Sequence, residues 1–514
     1  MSLARNVATV GTATLLSRLL GFLRDVGIAA VLGAGVMSDA FFFALQIPNL
    51  FRRLLAEGAL NSAFVPMWLR IRDERGASAA RRFGEETLGV MLVSLGAIAV
   101  ACAVFAPVVV HLLAPGFRVD GPRFELAVEF VRLSVPYVAV AGLVAVAASI
   151  LNAERRVAAA AFGIVVFNGV MVVAVLFALQ LTDTRMAAAI LSLAIVLAGL
   201  AQFALVGTAA RRLPDPPRRL RVTPGADTRR FFVQVVPGVI AGGVPQLKLM
   251  AGALVASSSP AAVSWLYYAN RLYELPLGVV SIAIASVLGP AIAASLRDKE
   301  DHAFAAAQSR ALEIGMGLAL PSAVAFAVLA TPIAGGLFER GAFGPRDTAA
   351  VAGALAAISA GLPGHVLEKV FGAVSFAHED TRTPMFAALA GLAAAVALAL
   401  ALFPHYGHVG IAAAIALSGW VGATILGIVL LARGWISIDR DARRRLPRIV
   451  VATLVMSAAI VGALALLPSA DTQIGRIALL GALVAGGLAV YLASLQALGV
   501  ARIHELVAAV RHGL

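Results

Sequence analysis

Nine ionisable side chains stand in stretches otherwise apolar enough to lie in lipid: Arg18, Arg24 and Asp25; Asp39, Arg52, Arg53 and Glu57; Arg271 and Glu274. On the insertion scale an arginine at the bilayer centre costs roughly 2.5–3.5 kcal/mol. So many charges are tolerable only where they face protein or a water-filled cavity. Their spacing points to shared faces. Arg18 and Asp25 are seven residues apart, two helical turns on one side. Arg53 and Glu57 are i,i+4, and Arg271 and Glu274 are i,i+3. Five arginines against four carboxylates leave an excess of positive charge. A cavity lined that way favours an anion, and the planar guanidinium matches phosphate oxygens. The competing reading is of ion pairs that lock helices together, or arginines that snorkel at helix ends. That reading suits Arg53 better than Arg18 or Arg24.

Other chemistry is scarce. Lys248 is a further charge in an apolar stretch, and Glu368 with Lys369 reads as a paired or interfacial couple. There is no GxxxxGK[ST] loop to cradle a nucleotide and no HExxH. His378, Glu379 and Asp380 read as a polar loop rather than a metal site. Cys102, the single cysteine, rules out intrachain disulfides and Cys-based metal centres. No metal, cofactor or catalytic activity is expected.

The elements that carry these charges must be membrane helices. The chain has 514 residues, 61% hydrophobic and 13% charged, about half the charge of a soluble protein. Apolar stretches long enough to cross a ~30 Å hydrocarbon layer recur from end to end. Strand-like alternation is absent, which excludes a β-barrel and leaves an all-α integral membrane protein. About 14 transmembrane helices are expected, near 7–31, 38–67, 86–113, 129–151, 160–180, 187–209, 231–256, 261–296, 311–337, 349–373, 384–404, 410–433, 449–468 and 476–499. Pro48 and Pro276 predict kinks, or extramembrane portions, in the long second and eighth spans.

The formal charge of +13 reflects basic cytoplasmic loops rather than nucleic-acid binding. Arginines collect in 70–82, 155–156, 211–230 and 440–448. The opposite side holds only Arg118, Arg123, Arg185, Arg340, Arg346 and Arg476. This roughly fourfold bias places both termini in the cytoplasm. Arg18 and Arg24 interrupt the first apolar stretch, so the N-terminus does not read as a signal peptide.

Two basic segments divide the chain. The expected organisation is an N-terminal six-helix lobe over 1–210, a cytoplasmic linker over 211–230 and a C-terminal six-helix lobe over 231–433. A cytoplasmic loop over 434–448 follows, then two extra helices and a cytoplasmic tail over 449–514. The lobes look duplicated. Pro66 aligns with Pro290 at an offset of 224, and Pro136 with Pro363 at 227, which also brings Arg155 opposite Arg382. Transporters built from such repeats place their site between the halves.

The segment SRLLGFLRDVGIAAVLGAGVMSDAFFFALQIPNLFRRLLAEGALNSAFVP (17–66) closely resembles the N-terminal signature of the MurJ (MviN) lipid II flippases. The resemblance continues at VSWLYYANRLYELPLGV (263–279), ERGAFGPRDT (339–348) and AHEDTRTP (377–384). It implies membership of a larger superfamily of multidrug, oligosaccharidyl-lipid and polysaccharide exporters, with two pseudo-symmetric six-helix lobes plus two C-terminal helices. It also implies that Arg18, Arg24, Arg52 and Arg271 are cavity arginines, with Asp25, Asp39 and Glu274 the accompanying acids and Arg53 beside them. The last two helices would form a groove for a polyprenyl tail. The chain departs from the family at Asn270, where an aspartate is common; the missing carboxylate should leave Arg271 less neutralised.

The function so implied is translocation of lipid II from the cytoplasmic to the periplasmic leaflet of the bacterial inner membrane, by alternating access, for cell-wall synthesis. Cavity arginines would hold the diphosphate, and membrane potential could bias the cycle. A monomer is expected, with lipid II, the membrane and possible cell-wall synthesis proteins as its partners. The rival readings are export of another lipid-linked oligosaccharide or a drug, an enzyme acting on polyprenyl phosphates, and a non-transporting scaffold. A cationic drug fits a positive cavity poorly. The enzyme would need a metal or an acid–base pair in the same pocket, which the sequence does not offer.

Some family members bind sodium through acids of the C-terminal lobe. The spans 231–256, 384–404 and 410–433 contain no Asp or Glu, so no carboxylate cage for a hard cation is visible in them. Lipid II movement in proteoliposomes should therefore continue when sodium is replaced by potassium or choline at fixed potential. Strict sodium dependence would contradict this.

Overall fold

The computed structural model describes residues 3–56, 59–298, 301–467, 470 and 472–500. Glu57 and the expected tail beyond residue 500 lie outside the described residues. Among those described, every regular element is an α-helix. Nine stretches are long and apolar enough to cross a membrane. One of them, Arg382–Ala432, is two helices joined at Gly407, whose backbone is non-helical (φ 55°). The joint falls between the expected spans 384–404 and 410–433. The expected spans not among the nine are 7–31, 38–67, 231–256 and 261–296. Three of those four carry the clustered charges and the fourth carries Lys248.

The chain packs as two units. The first runs to Ser264 and includes Arg340–Phe343. It contains α1 (Leu3–Leu32), α2 (Val36–Ala56), α3 (Ala59–Arg75), α4 (Ala77–Val104), α5 (Ala106–Leu113), α6 (Pro122–Ser134), α7 (Tyr137–Ala153), α8 (Val157–Ala178), α9 (Thr184–Arg211) and α10 (Ala226–Ala256). The expected span 38–67 is thus divided between α2 and α3, and 86–113 between α4 and α5. Gly33 ends α1 at φ +60°, donating its N–H to Ala29. The segment 340–343 lies against this end. Ala342 N–H donates to the Ala30 carbonyl, and Gly341 takes φ +58° where a Cβ would meet Ala30 O at 2.3 Å. Only glycine fits both demands.

Within this unit α1 packs on α8, α4 on α7, and α2 on α6. α10 packs on α2, α3 and α4. Its Phe231 meets Phe64 and Phe83 edge-on, and Phe64 stacks on Trp68. This aromatic cluster packs α10 on helices that precede the 211–230 segment. That segment is not a free tether. Glu85 on α4 accepts the N–H groups of Arg218 and Arg219 and the side chain of Arg221. Glu86 accepts Gly225 N–H, Thr228 Oγ and Arg82. Gly89, one turn on, lies so close that a Cβ would be 2.2 Å from the Arg221 carbonyl oxygen.

The second unit covers Trp265–Glu339 and the chain from Gly344. It holds most of α11 (Ala262–Asp298), then α12 (Asp301–Val328), α13 (Ala330–Phe338), α14 (Pro345–Ser359), α15 (Leu362–Ala377), α16 (Arg382–Ala432), α17 (Arg440–Leu466) and α18 (Gln473–Ala497). α15 packs on α16 and α12. The last two helices pack on α12 and α13. Tyr491 Oη donates to the Gly317 carbonyl, Gln473 reaches the Gly336 carbonyl, and Arg476 pairs with Glu339 at 2.6 Å. That pairing and a hydrogen bond from Thr348 hold Glu339 below the usual carboxylate range, although burial opposes them.

Helix interruptions recur at intervals of 223 to 225 residues. α4 breaks at Phe105 (φ −92°, ψ 22°) and α12 at Leu329 (φ −93°, ψ 12°), 224 residues on. α6 and α14 both begin after a Gly-Pro step, at Gly121 and Gly344. α7 ends with Arg155 left-handed at φ 56°, and α15 with Glu379 at φ 57°, again 224 apart. In each, the next N–H returns five residues, Arg156 to Leu151 and Asp380 to Ser375. The duplication read from the sequence is therefore present, but two of its pairings are corrected. The counterpart of Arg155 is Glu379 rather than Arg382. The joint at Pro136 matches Gly361 rather than Pro363. Asp380 is occupied by Thr383, Arg382 N–H and Arg433. Thr383 first, then Arg433, keeps its carboxyl well below the usual range.

The clasp on α4 can be tested with Gly89→Val, which must push the connector off Glu85. Loss of contacts worth about 1–3 kcal/mol should raise the rate of tryptic cleavage within 211–230 by about tenfold. An unchanged cleavage rate in detergent solution would show that the connector is held elsewhere.

Candidate functional site

α1 is apolar along most of its length, and two of its inner charges, Arg24 and Asp25, form one pair. Arg24 Nε and Nη2 donate to Asp25 Oδ1 at 2.9 and 2.8 Å. Asp25 is fully buried and the Arg24 side chain only 12% exposed. Arg24 Nη1 donates to Asn168 Oδ1 on α8 at 3.1 Å. The Asn168 amide in turn donates to the carbonyl and hydroxyl of Ser17. Asn168 therefore bridges two positions of α1 seven residues apart, on the face against α8. Of the five N–H donors of a guanidinium, three are engaged by Asp25 and Asn168. Arg18 is half-buried one residue beyond Ser17. Asp25 pairs with its chain neighbour Arg24, and Arg18 stands seven residues before it on the same helix.

α2 divides its charges. Asp39, fully buried, uses both oxygens at the α10–α11 turn. Oδ1 accepts the N–H and hydroxyl of Ser264, and Oδ2 accepts Ala261 N–H, with Arg123 at 3.6 Å. Ala261 is held at φ +65°, a strained conformation for a non-glycine residue. The carboxylate caps the first turn of α11 and fixes that strain. Arg123 also donates to the carbonyls of Ser257 and Ser259 and lies over the Phe117 ring. Asp39 is thus placed in a capping network, apart from the Arg24 group. Arg52 is half-buried near the end of α2, and Arg53 donates to Gln246 of α10 at 3.4 Å.

In the second unit Arg271 and Glu274 pair across one turn of α11 at 3.5 Å. Asn270 donates its amide to the same carboxylate at 3.3 Å. The departure at Asn270 has a local consequence: an aspartate there would repel Glu274, whereas the amide shares it with Arg271.

The residues missed in the sequence are Asn168, Ser17 and Arg123. Asn168 left a signal, as the only polar side chain in the 22 residues of α8. Lys248 is buried on α10, and the 224-residue interval makes it the counterpart of Arg24. Among the described residues no cluster of His, Cys, Asp and Glu could hold a metal.

Charges buried on apolar helices and held by hydrogen bonds, in a chain of many such helices, define a polytopic membrane transport protein. The comparisons are specific. A model of the family described as lipid II flippase MurJ matches residues 28–473. The chain is 40% identical to the probable lipid II flippase MurJ of Rhizobium meliloti (strain 1021), over 100% of its own length and 97% of that relative. It is 31% identical to the lipid II flippase MurJ of Burkholderia cenocepacia, over 89% of each chain. A solved lipid II flippase MurJ in an inward closed conformation superposes with a TM-score of 0.80 at 22% identity, covering 94% of this chain and 97% of that one. An inward-facing multidrug resistance MATE family transporter of the MOP superfamily gives a TM-score of 0.67 at 15% identity, covering 81% and 94%. The chain belongs to the lipid II flippase MurJ family.

The Asp39 network predicts that Arg123→Met, which leaves the buried carboxylate with its three remaining donors but no counter-ion, costs about 1.5–3 kcal/mol in denaturant unfolding of the purified protein. A variant as stable as the parent would show that the backbone donors alone hold Asp39.

Proposed function

We propose that the chain translocates lipid II from the cytoplasmic to the periplasmic leaflet of the inner membrane by alternating access, as a monomer and without a catalytic step. Both termini lie in the cytoplasm. The lobes over 1–210 and 231–433 carry the cycle, with the last two helices as an accessory pair. Arg18, Arg24 and Arg52 of the first unit and Arg271 of the second are the residues assigned to the substrate diphosphate. Asp25 and Glu274 keep Arg24 and Arg271 from standing as bare charges between turnovers. Arg53 and Asp39 complete the set, Asp39 as the cap of the α10–α11 turn.

One observation carries this reading most: Arg24 is fixed by Asp25 and Asn168 through three of its five donors. A charge retained only to lock helices would spend its donors on protein. The remaining two suit a phosphate oxygen, which makes charge-assisted bonds worth roughly 1.5–3 kcal/mol. The apolar tail has a matching surface. α17 and α18 expose Val451, Leu454, Val484 and Leu488. Gly481 and Gly486 face open space, whereas Gly487 admits Ile460 of α17 within 2.8 Å of where its Cβ would be.

Arg24→Ala and Arg271→Ala should each lower lipid II movement by about 10- to 100-fold, compared at equal amounts of inserted protein because Arg24→Ala also leaves the buried Asp25 without its counter-ion. The measurement is complementation of a flippase-depleted strain, followed by the sidedness of its lipid II. Full complementation by both variants would remove the anion-site assignment.

A further inference from the structure

The second unit holds a group of ionisable side chains that the arginine site does not use. His365 and Glu368 stand one turn apart on α15, and each lies against a glycine of α16. A Cβ on Gly419 would be 2.5 Å from His365 Nδ1, and one on Gly422 would be 2.8 Å from the Glu368 carboxyl. The i,i+3 spacing is the same on both helices, so ring and carboxylate fill two successive notches. α11 supplies the third wall. Tyr273 is 3% exposed, and its hydroxyl lies 2.8 Å from His365 Nδ1. The Gly361 carbonyl lies 3.0 Å from the same nitrogen.

One nitrogen therefore faces a hydroxyl, which can donate, and a carbonyl, which can only accept. Without a proton, Nδ1 accepts the Tyr273 O–H. With one, it donates to Gly361 O, and the tyrosine oxygen can accept. Nδ1 itself therefore has a partner whether or not it carries the proton. Intramembrane groups of this kind mark ion and proton pathways.

Among the described residues the charged and titratable groups on the surrounding helices include these. α11 brings Arg271, Tyr273 and Glu274, and α15 itself brings Lys369 beside Glu368. The part of α16 over 410–432 has no ionisable residue. α12 meets α15 at Gly315 and Val366. Its Arg310 and Glu313 precede that contact, and Glu313 is paired with Arg445. α14 has Arg346 and Asp347 in its first turn, where Asp347 accepts the Trp265 indole N–H.

We propose that Tyr273, His365 and Glu368 form a proton-binding site that couples transport to the pH gradient. The proposal rests on the flippase reading. A proton is taken from water as an N–H on His365 or an O–H on Glu368, and is returned to water in the other half of the cycle. No bond of the substrate is made or broken.

The test is lipid II movement in proteoliposomes holding the full chain, with the potential clamped and a pH gradient imposed. The parent should accelerate, by up to about tenfold per pH unit. His365→Gln and Glu368→Gln should lose that acceleration, and Tyr273→Phe should weaken it. A parent rate indifferent to the gradient overturns the proposal, as do variants that keep the full response. Difference infrared titration of the purified parent reads the site without substrate. It should show a titrating carboxyl band that Glu368→Gln removes and His365→Gln shifts. Absence of both that band and a titrating imidazole band that His365→Gln removes overturns the proton site whether or not lipid moves. Either band in a protein that moves no lipid II would overturn the flippase reading instead.

Discussion

The pairing of Arg24 with Asp25, braced by Asn168, is the constraint on which the first unit turns. An arginine cannot stand bare in an apolar helix; Asp25 neutralises it and takes two of its five donors. Asn168 takes a third. It orients the guanidinium from a second helix without adding charge, and anchors itself to Ser17 on the first. α1 and α8 are therefore joined through a polar bridge inside an apolar contact. A buried network of this kind holds its shape because leaving any member unpaired is costly.

Around that bridge the other charges have separate duties. Asp39 and Arg123 fix a strained turn at the start of α11. Glu85 and Glu86 clasp the segment between α9 and α10. Arg271 and Glu274 lie on α11 with Asn270 as arbiter. His365 and Glu368 sit in notches that two glycines leave on α16. A carboxylate inside this protein is thus a cap, a clasp, a counter-ion or a proton acceptor according to which donors the fold brings to it.

Much of this was legible in the sequence, and the reasons differ by element. The helices announce themselves through long apolar stretches, and the arginines through their cost in such stretches. The duplication was legible from prolines, but an offset read from prolines drifted by a few residues. The helix joint matching Pro136 carries glycine, at Gly361. Asp39 was legible as a charge but not as a cap, because Ala261 and Ser264 are more than 200 residues away in the chain. The clasp was hidden because Glu85 and Glu86 open an apolar helix and look like its polar edge. The grouping of α10 with the first unit depends on Phe231 meeting Phe64 and Phe83, which no local pattern reveals.

The central claim is that these arginines hold the diphosphate of a polyprenyl-linked substrate. Equilibrium binding of undecaprenyl diphosphate and of undecaprenol to the purified full-length chain tests it most directly, alongside Arg24→Ala. The account predicts that the diphosphate binds at least about tenfold more tightly than the alcohol, as one charge-assisted contact requires, and that Arg24→Ala erases most of the difference. Equal affinity for the two lipids, or a preference that survives Arg24→Ala intact, would contradict it.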